Sequence, residues 1–573
     1  MSTDLGNINY STFWGSAPTS ASQLIQIIDA DGFTVRSDSV NRSGQVSSNL
    51  QMSNVTAGTH LLKVTIYGAA NATGTVLGVS NQVVDLCASA PASATVSVST
   101  QYGTPASEIA VVPSSVSVQE ESIVQFVATP KNGNQAVFLP TNDLSWTVTG
   151  GVGTISSALG QFTAQTVGNG TVRVNSASTT LTQSVPVEVT PRVTQQTKWT
   201  VLVYLNAAND LYSYSTLNVN QMEQVASNPN VRFVVQWKQS KSAFGGSSFD
   251  GVRRYLVKPD TTSAIASELV QNNLRDSSGN ALDMGSTETL KDFIEWGKEN
   301  YPADRYCIIL WNHGNGWKRS ADDESTRAFS YDDQYGTSIK SWETDAAFAG
   351  QHFDILAWDA SLMQMMEVAY EVKDFADYVV GSEESPPGEG YPYHLIFDNF
   401  RDNPDAPTDV LASAFVQGMQ EQAAPGGLYE FRKITQSVIE SSRLDAVVTA
   451  ISSLANDLSS NNLLIAAQIQ SIRNSAQSYS PGPSRVYRDL YDVCLRLEAD
   501  NTIPGSIQVK AAAVRAAINN AVRYEYSNAQ SPNSHGISID FSSNGSFAAY
   551  RSDYIRMKFA EDSTWDQWLE VAP

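Results

Sequence analysis

At 573 residues the chain is too long for one ordinary hydrophobic core, and its length predicts three or four folding units. Its composition, 42% hydrophobic and only 16% charged, is that of a folded soluble protein, and its many Ser, Thr, Asn and Gly favour extracellular β-rich modules over a cytosolic helical chain. The 36 basic residues against 58 acidic ones leave a net charge of −22, a surface that repels nucleic acid and anionic membranes and mildly favours basic ligands.

The N-terminus, Met1-Ser-Thr-Asp-Leu-Gly, has neither the basic nor the apolar region of a signal peptide. Because the modules after it look exported, the expectation is a targeting segment removed and a start Met added. No stretch is long and apolar enough to predict a membrane-spanning segment. Short alternating runs recur through residue 190 between turn signals such as Asp31-Gly32: Gln23–Ile28, Thr59–Tyr67 and Gln82–Leu86. They predict a β-sandwich over residues 1–88. The small, featureless Cys87–Ala94 opens a predicted linker, 89–106. A second set, Ser115–Val118, Ile123–Ala128, Leu144–Val148, Gly170–Val174 and Val185–Val189, predicts another sandwich over 107–192. Through Ser145-Trp146-Thr147-Val148 and Gly160-Gln-Phe-Thr-Ala-Gln it resembles bacterial immunoglobulin-like repeats, which act as spacers or surface adhesives.

After Thr197 the pattern changes to alternating strands and helices, the signature of a mostly parallel sheet in an α/β domain over 193–573. Strands are predicted at Trp199–Leu205, Val231–Trp237, Tyr306–Trp311, Phe353–Trp358 and Asp377–Ser382. A capped amphipathic helix is predicted from Ser286 and a second helix over Leu362–Val372. From about 405 the pattern is helical until a late strand at Gly536–Phe541. Cys87, Cys307 and Cys494 are far apart and fit neither a zinc site nor a disulfide framework; Cys307 and Cys494 read as buried core thiols.

Catalytic groups in open α/β sheets gather beyond the carboxyl ends of strands. One predicted strand runs into Asn312-His313-Gly314-Asn315-Gly316-Trp317, and another into Asp359-Ala360-Ser361-Leu362-Met363. A nucleophile at a helix N-terminus gains from the dipole, and a nearby His can move its proton. The N–H groups of Gly314 and Ser361 are candidates for an oxyanion hole. His535-Gly536 precedes its strand and reads as structural, and His60, His352 and His394 have no partner motif.

Leu310–Trp317, Asp354–Met363 and Glu367-Val-Ala-Tyr-Glu, in order with Tyr204-Leu-Asn-Ala-Ala-Asn-Asp, Ser382–Gly390, Tyr487–Tyr491 and Phe559–Trp565, closely resemble the clostripain family of cysteine peptidases. The resemblance runs from about Lys198 to the C-terminus. It implies a caspase-like fold, His313 as the catalytic histidine and a nucleophilic cysteine at position 361, where this chain has Ser361. A thiol with a pKa of about 8.5 is partly ionised at neutral pH, whereas a hydroxyl needs a well-placed base, and no obvious carboxylate orients His313 as a serine triad requires. The expectation is therefore an almost inactive chain, read as an engineered trapping substitution ahead of a natural pseudopeptidase.

The resemblance also implies cleavage after Arg or Lys, with Asp359 as one acidic group of the S1 pocket. Glu389, where relatives often carry Asp, would be the second, which leaves an Arg-versus-Lys preference open. Relatives are processed in the loop after the histidine; Arg327–Ala328 is the expected self-processing bond, with Arg319 the weaker candidate. Asp322-Asp323-Glu324 and Asp332-Asp333 are candidate Ca²⁺ ligands, although such charge runs are usually solvated, and no other cofactor is expected. The leading reading is an exported bacterial endopeptidase for protein or peptide substrates with a basic P1 residue. Its rivals are a non-catalytic binder of basic peptides and a surface adhesin whose N-terminal modules do the work.

Overall fold

A computed structural model describes residues 5–28, 34–56, 58–86, 95–191, 196–226, 230–317, 329–479 and 487–573. The chain divides into two compact units, Met1–Val193 with Val270–Asn272, and Thr194–Leu269 with Asn273–Pro573.

The N-terminal unit is all strand. Leu5–Phe13 pairs antiparallel with Ser47–Thr56 and parallel with Thr95–Gln101. Ser22–Ile28 pairs antiparallel with both Thr34–Asn41 and Gly58–Ala69 in a four-stranded sheet. Alternate residues of these strands (Ile8, Tyr10, Ile25, Ile27, Leu62, Val64) meet in one dry core. A second core gathers Phe126, Trp146, Phe162, Val172, Val174, Val185 and Val187. Residues 95–101, inside the segment expected to be linker, are a strand: Thr-Val-Ser-Val-Ser-Thr alternates β-branched with small polar residues, a pattern that suits a pleated strand. Through it the six-stranded sheet runs on into Gln135–Val137, Val127–Asn132 and Glu108–Val112, so the stretches expected as separate sandwiches share a sheet. Asp31-Gly32 and Cys87–Ala94 lie outside the described residues.

The C-terminal unit is built on a nine-stranded sheet. In chain order its elements are β1 (Thr197–Ala207), α1 (Tyr212–Val225), β2 (Val231–Gln239), β3 (Gly251–Leu256), β4 (Glu268–Leu274), α2 (Thr287–Asn300) and β5 (Ala303–Trp311). There follow the hairpin β6 (Phe329–Asp332) and β7 (Thr337–Ile339), then β8 (Phe353–Asp359), α3 (Met366–Val372), β9 (Ala376–Gly381), α4 (Tyr393–Asp402), α5 (Thr408–Ala423) and β10 (Thr435–Glu440). Then come α6 (Leu444–Ser460), α7 (Ala466–Ser475), β11 (Tyr487–Asp489), α8 (Leu490–Ala499), α9 (Gly505–Ala521), β12 (Val522–Ser527) and β13 (Ser538–Asp540), and short helical turns between Asn544 and Leu569 close the chain. The large sheet has the order β4-β3-β2-β1-β5-β8-β9-β10-β12, with a parallel centre from β2 to β9 and antiparallel pairing at β3, β10 and β12.

Alternation along the central strands sorts side chains to two faces. Trp199, Val201, Val203 and Leu205 of β1, with Cys307, Ile309 and Trp311 of β5, meet α1, α4 and α5 on one face. Leu202, Tyr204, Ile308, Leu310, Leu356 and Trp358 meet α2, α6 and α9 on the other. Each fully buried aliphatic side chain contributes roughly 1.5–3 kcal/mol. Cys307 and Cys494 are buried free thiols, as expected.

Three expectations change. Strands β10 and β12 interrupt the stretch expected to be helical, completing the sheet at one edge. Ser286 stands at the N-cap of α2 but makes no side-chain capping bond. The helix expected from Leu362 begins only at Met366, because residues 361–365 form a turn in which Leu362 has φ +64°.

Candidate active site

Chain order places β1 between β2 and β5, so the connections leave β1 in opposite directions and open a crevice beyond its carboxyl end. Three strand ends meet there: residues 208–211 after β1, 312–317 after β5 and 360–365 after β8. A cavity of about 240 Å³ opens among them, lined in part by Trp311, His313, Asp359, Ser361, Gly388 and Gly390.

His313 and Ser361 therefore share one cavity, although no hydrogen bond joins their side chains among the described residues. Gly314 explains their approach. A Cβ on Gly314 would stand 2.3 Å from the Ser361 carbonyl oxygen and 2.9 Å from its nitrogen, so only glycine lets the two loops touch. Ser361 is not at a helix N-terminus: the turn through Leu362 separates it from α3, which removes the dipole expected there. It sits instead on a sharp turn at a strand end, beside a non-glycine residue in the left-handed region.

A carboxylate faces His313 after all. Asp210 Oδ1 lies 2.5 Å from His313 Nε2, on the loop that follows β1. A carboxylate only accepts, so the contact keeps a proton on Nε2 and leaves Nδ1 as the basic nitrogen of the neutral ring. With the side chains 41% and 69% exposed, this pair orients the ring more than it stabilises the fold. Asp210 closes the fragment Asn206-Ala-Ala-Asn-Asp210; the strand-end rule that singled out His313 points to it equally, but 103 residues separate the two in sequence. The ring also meets Tyr331 edge-on at 6.0 Å.

Neighbouring amides fix these loops. Asn312 Nδ2 donates to Asn206 O at 2.6 Å and to Tyr331 O at 3.0 Å, while Asn312 Oδ1 accepts from Tyr331 N at 2.9 Å. Asn218 of α1, which the motifs did not single out, accepts from Trp311 Nε1 at 2.8 Å and donates to Glu389 O at 2.9 Å. It thereby ties the end of β5 to the loop before α4.

Asp359 ends β8 and is buried on the cavity wall. Its carboxylate accepts from Tyr391 N at 3.1 and 3.2 Å and from Tyr393 Oη at 2.9 Å. Burial pushes its pKa up to about 7, against the lowering effect of those donors. Gly390, at φ +68°, permits the approach, since a Cβ there would stand 2.9 Å from both carboxylate oxygens. Glu389 is brought to the same loop, but its neighbours Gly388 and Gly390 line the cavity and it does not.

Arg319, Asp322-Asp323-Glu324, Arg327 and Ala328 lie outside the described residues. Asp332 is no free cation ligand: it is fully buried, 2.6 Å from the equally buried Lys238 Nζ, and also accepts from Met284 N at 2.9 Å. The lysine already supplies the positive charge. Among the described residues no group of three or more His, Cys, Asp or Glu side chains is arranged to hold a metal ion.

The sequence model of the clostripain family matches residues 203–571. Clostripain of Hathewaya histolytica is 25% identical over 396 residues, a match covering 60% of this chain and 74% of that protein. An inactive zymogen C11 protease from Parabacteroides distasonis aligns at 19% identity with a TM-score of 0.48, over 64% of this chain and 98% of that one. A secreted C11 cysteine protease from Bacteroides thetaiotaomicron, in complex with an irreversible peptide inhibitor, aligns at 19% identity with a TM-score of 0.47, over 64% and 99% of the two chains.

Proposed function

The chain belongs to the clostripain family of cysteine peptidases, and from that premise we propose an exported endopeptidase that cuts after Arg or Lys and stands here in a nearly inactive form. The observation that carries this reading is the shared cavity of His313, Ser361 and the buried carboxyl of Asp359, which has no cationic partner among the described residues. His313, oriented by Asp210, is the general base, and position 361 is the nucleophile. The N–H groups of Gly314 and Ser361 are the donors for the developing oxyanion. Asp359 receives the basic P1 side chain, and Glu389 is a secondary acidic group at the rim of its loop.

Serine leaves turnover small, because a hydroxyl must lose its proton to His313 during attack and no hydrogen bond yet joins the two. Ser361→Cys is expected to raise hydrolysis of an Arg-containing peptide at least about a hundredfold, and no gain in turnover would sink the peptidase reading.

Self-processing is assigned to Arg327–Ala328, whose P1 residue fits the proposed pocket. The described residue nearest after it, Phe329, forms a β-bridge with Gly314, so cleavage would free a terminus beside His313. Export is supported by the strand-only, lightly charged N-terminal unit. A second reading, a pseudopeptidase that captures basic peptides, is favoured by the serine itself. It predicts Arg-peptide binding to the unaltered chain with no turnover after Ser361→Cys.

A further inference from the structure

Glu383, just after β9, and Asp489, at the end of β11, stand together in the interior at 1% and 0% exposure. Tyr479 Oη lies 3.0 Å from Glu383 Oε1, 3.5 Å from Asp489 Oδ2 and 2.7 Å from Ser534 Oγ. Gly536 N donates to Glu383 Oε2 at 3.0 Å; His535 N and Asp492 N donate to Asp489 at 2.6 Å each. No cation touches either carboxyl among the described residues.

The surrounding charged groups are engaged elsewhere. Asp492 pairs with Arg496 at 3.0 Å and Glu384 faces Lys433 at 3.5 Å. The Arg488 guanidinium donates to the carbonyls of Arg473 and Tyr487. Burial lowers the pKa of His535 and raises those of Glu525 and the Cys494 thiol, which favours the neutral form of each. Two unpaired negative charges cannot share such a site, so the pair retains a proton. Burial, then the mutual repulsion, pushes Glu383 well above the usual carboxyl range; burial raises Asp489 to about 7.

This pair sits behind the turn that carries Ser361. The carbonyls flanking Glu383 hold that turn: Ser382 O accepts from Gln364 N at 3.1 Å, and Glu384 O from Leu362 N at 3.3 Å. From the other side Ser538 N, two residues past Gly536, donates to Gln364 O at 3.0 Å. Tyr487, two residues before Asp489, donates its hydroxyl to Asn315 O at 3.0 Å in the His313 loop.

We propose that Glu383 and Asp489 are a proton-sharing positioning pair that clamps the Ser361–Met365 turn, and that loss of the shared proton in alkaline solution loosens it. The catalytic meaning rests on the peptidase reading of position 361; the clamp itself does not. A carboxyl whose folded pKa is raised contributes stability at acid pH that is lost as pH rises through the folded value. The shared proton is the last to leave the pair, so loosening follows the upper titration, the one that Glu383 carries well above the usual carboxyl range.

The test compares the full chain with Glu383→Gln, Asp489→Asn and Glu383→Ala by amide hydrogen exchange at Leu362 and Gln364, from about pH 6 to about pH 9. After correction for intrinsic rates, the parent is expected to lose protection as pH rises. Glu383→Gln and Asp489→Asn, permanently uncharged at one member, are expected to keep it, and Glu383→Ala to lack it throughout. Equal alkaline loss in the parent and both amide variants, or a fully protected Glu383→Ala, overturns the proposal. In the Ser361→Cys background Glu383→Ala should lower kcat about a hundredfold with little change in KM. If Ser361→Cys proves inactive, the peptidase reading fails while the exchange data still judge the pair.

Discussion

Asp359 holds a proton at mildly acid pH because its carboxyl is buried with three hydrogen-bond approaches but, among the described residues, no positive partner. A guanidinium entering the cavity would reverse that balance and release the proton. Because the unliganded pKa is raised to about 7, binding of a basic P1 group must tighten as pH rises through that value. In the Ser361→Cys protein, KM for an Arg peptide is expected to fall by up to about tenfold per pH unit below pH 7 and level off above it. Asp359→Asn should raise KM and flatten the profile; an unchanged profile refutes the pocket role. Asp210 acts differently, on the histidine. Since the pair is exposed, Asp210→Ala should lower kcat by only about fivefold and leave KM alone, with Asp210→Glu recovering part of the loss. Equal activity in all three would leave the ring oriented by something else. These two carboxylates differ in how sequence reveals them: the family resemblance singles out Asp359, whereas Asp210 gains its meaning only when β1 and β5 pair.

The hairpin β6–β7 meets the site through Phe329 against Gly314 and Tyr331 against Asn312. Its anchor is the fully buried pair Lys238–Asp332. Burial lowers the lysine and raises the aspartate, so desolvation opposes both charges, and the attraction and the Met284 N–H contact only partly offset it. Lys238→Met alone should destabilise the unit by about 3–5 kcal/mol, read by denaturant unfolding, whereas Lys238→Met with Asp332→Leu should recover much of that loss. A single variant as stable as the parent would contradict the anchoring role. Central strands were legible because long β-branched runs buried on both faces leave few alternatives: Trp199–Leu205 and Val231–Trp237 became β1 and β2. Thr435–Glu440 and Val522–Ser527 were not, since each is six residues long and adjoins a helix, and only pairing at the sheet edge makes them strands. The start of α3 was misplaced for a related reason. Leu362–Val372 has helical periodicity, but the bonds from Leu362 N and Gln364 N to the 382–384 segment pull the first residues into a turn.

At the scale of the whole molecule the net charge of −22 sets a field that any substrate crosses before it meets Asp359. Exposed charges act over roughly 8 Å at physiological ionic strength and over about 30 Å at 0.01 M, so the field reaches a diffusing peptide mainly in dilute salt. Its sign is opposite to that of the proposed basic P1 group, so site and surface would recruit the same chemistry at different ranges. In the Ser361→Cys protein, kcat/KM for an Arg peptide flanked by lysines should fall as salt rises from about 0.01 M to about 0.15 M. The same peptide flanked by glutamates should improve over that range, because screening relieves its repulsion. Both have the same P1 residue, so the difference isolates the long-range field from the Asp359 contact. Identical salt slopes for the two peptides would mean that the acidic surface takes no part in recruitment and that selection occurs only inside the cavity.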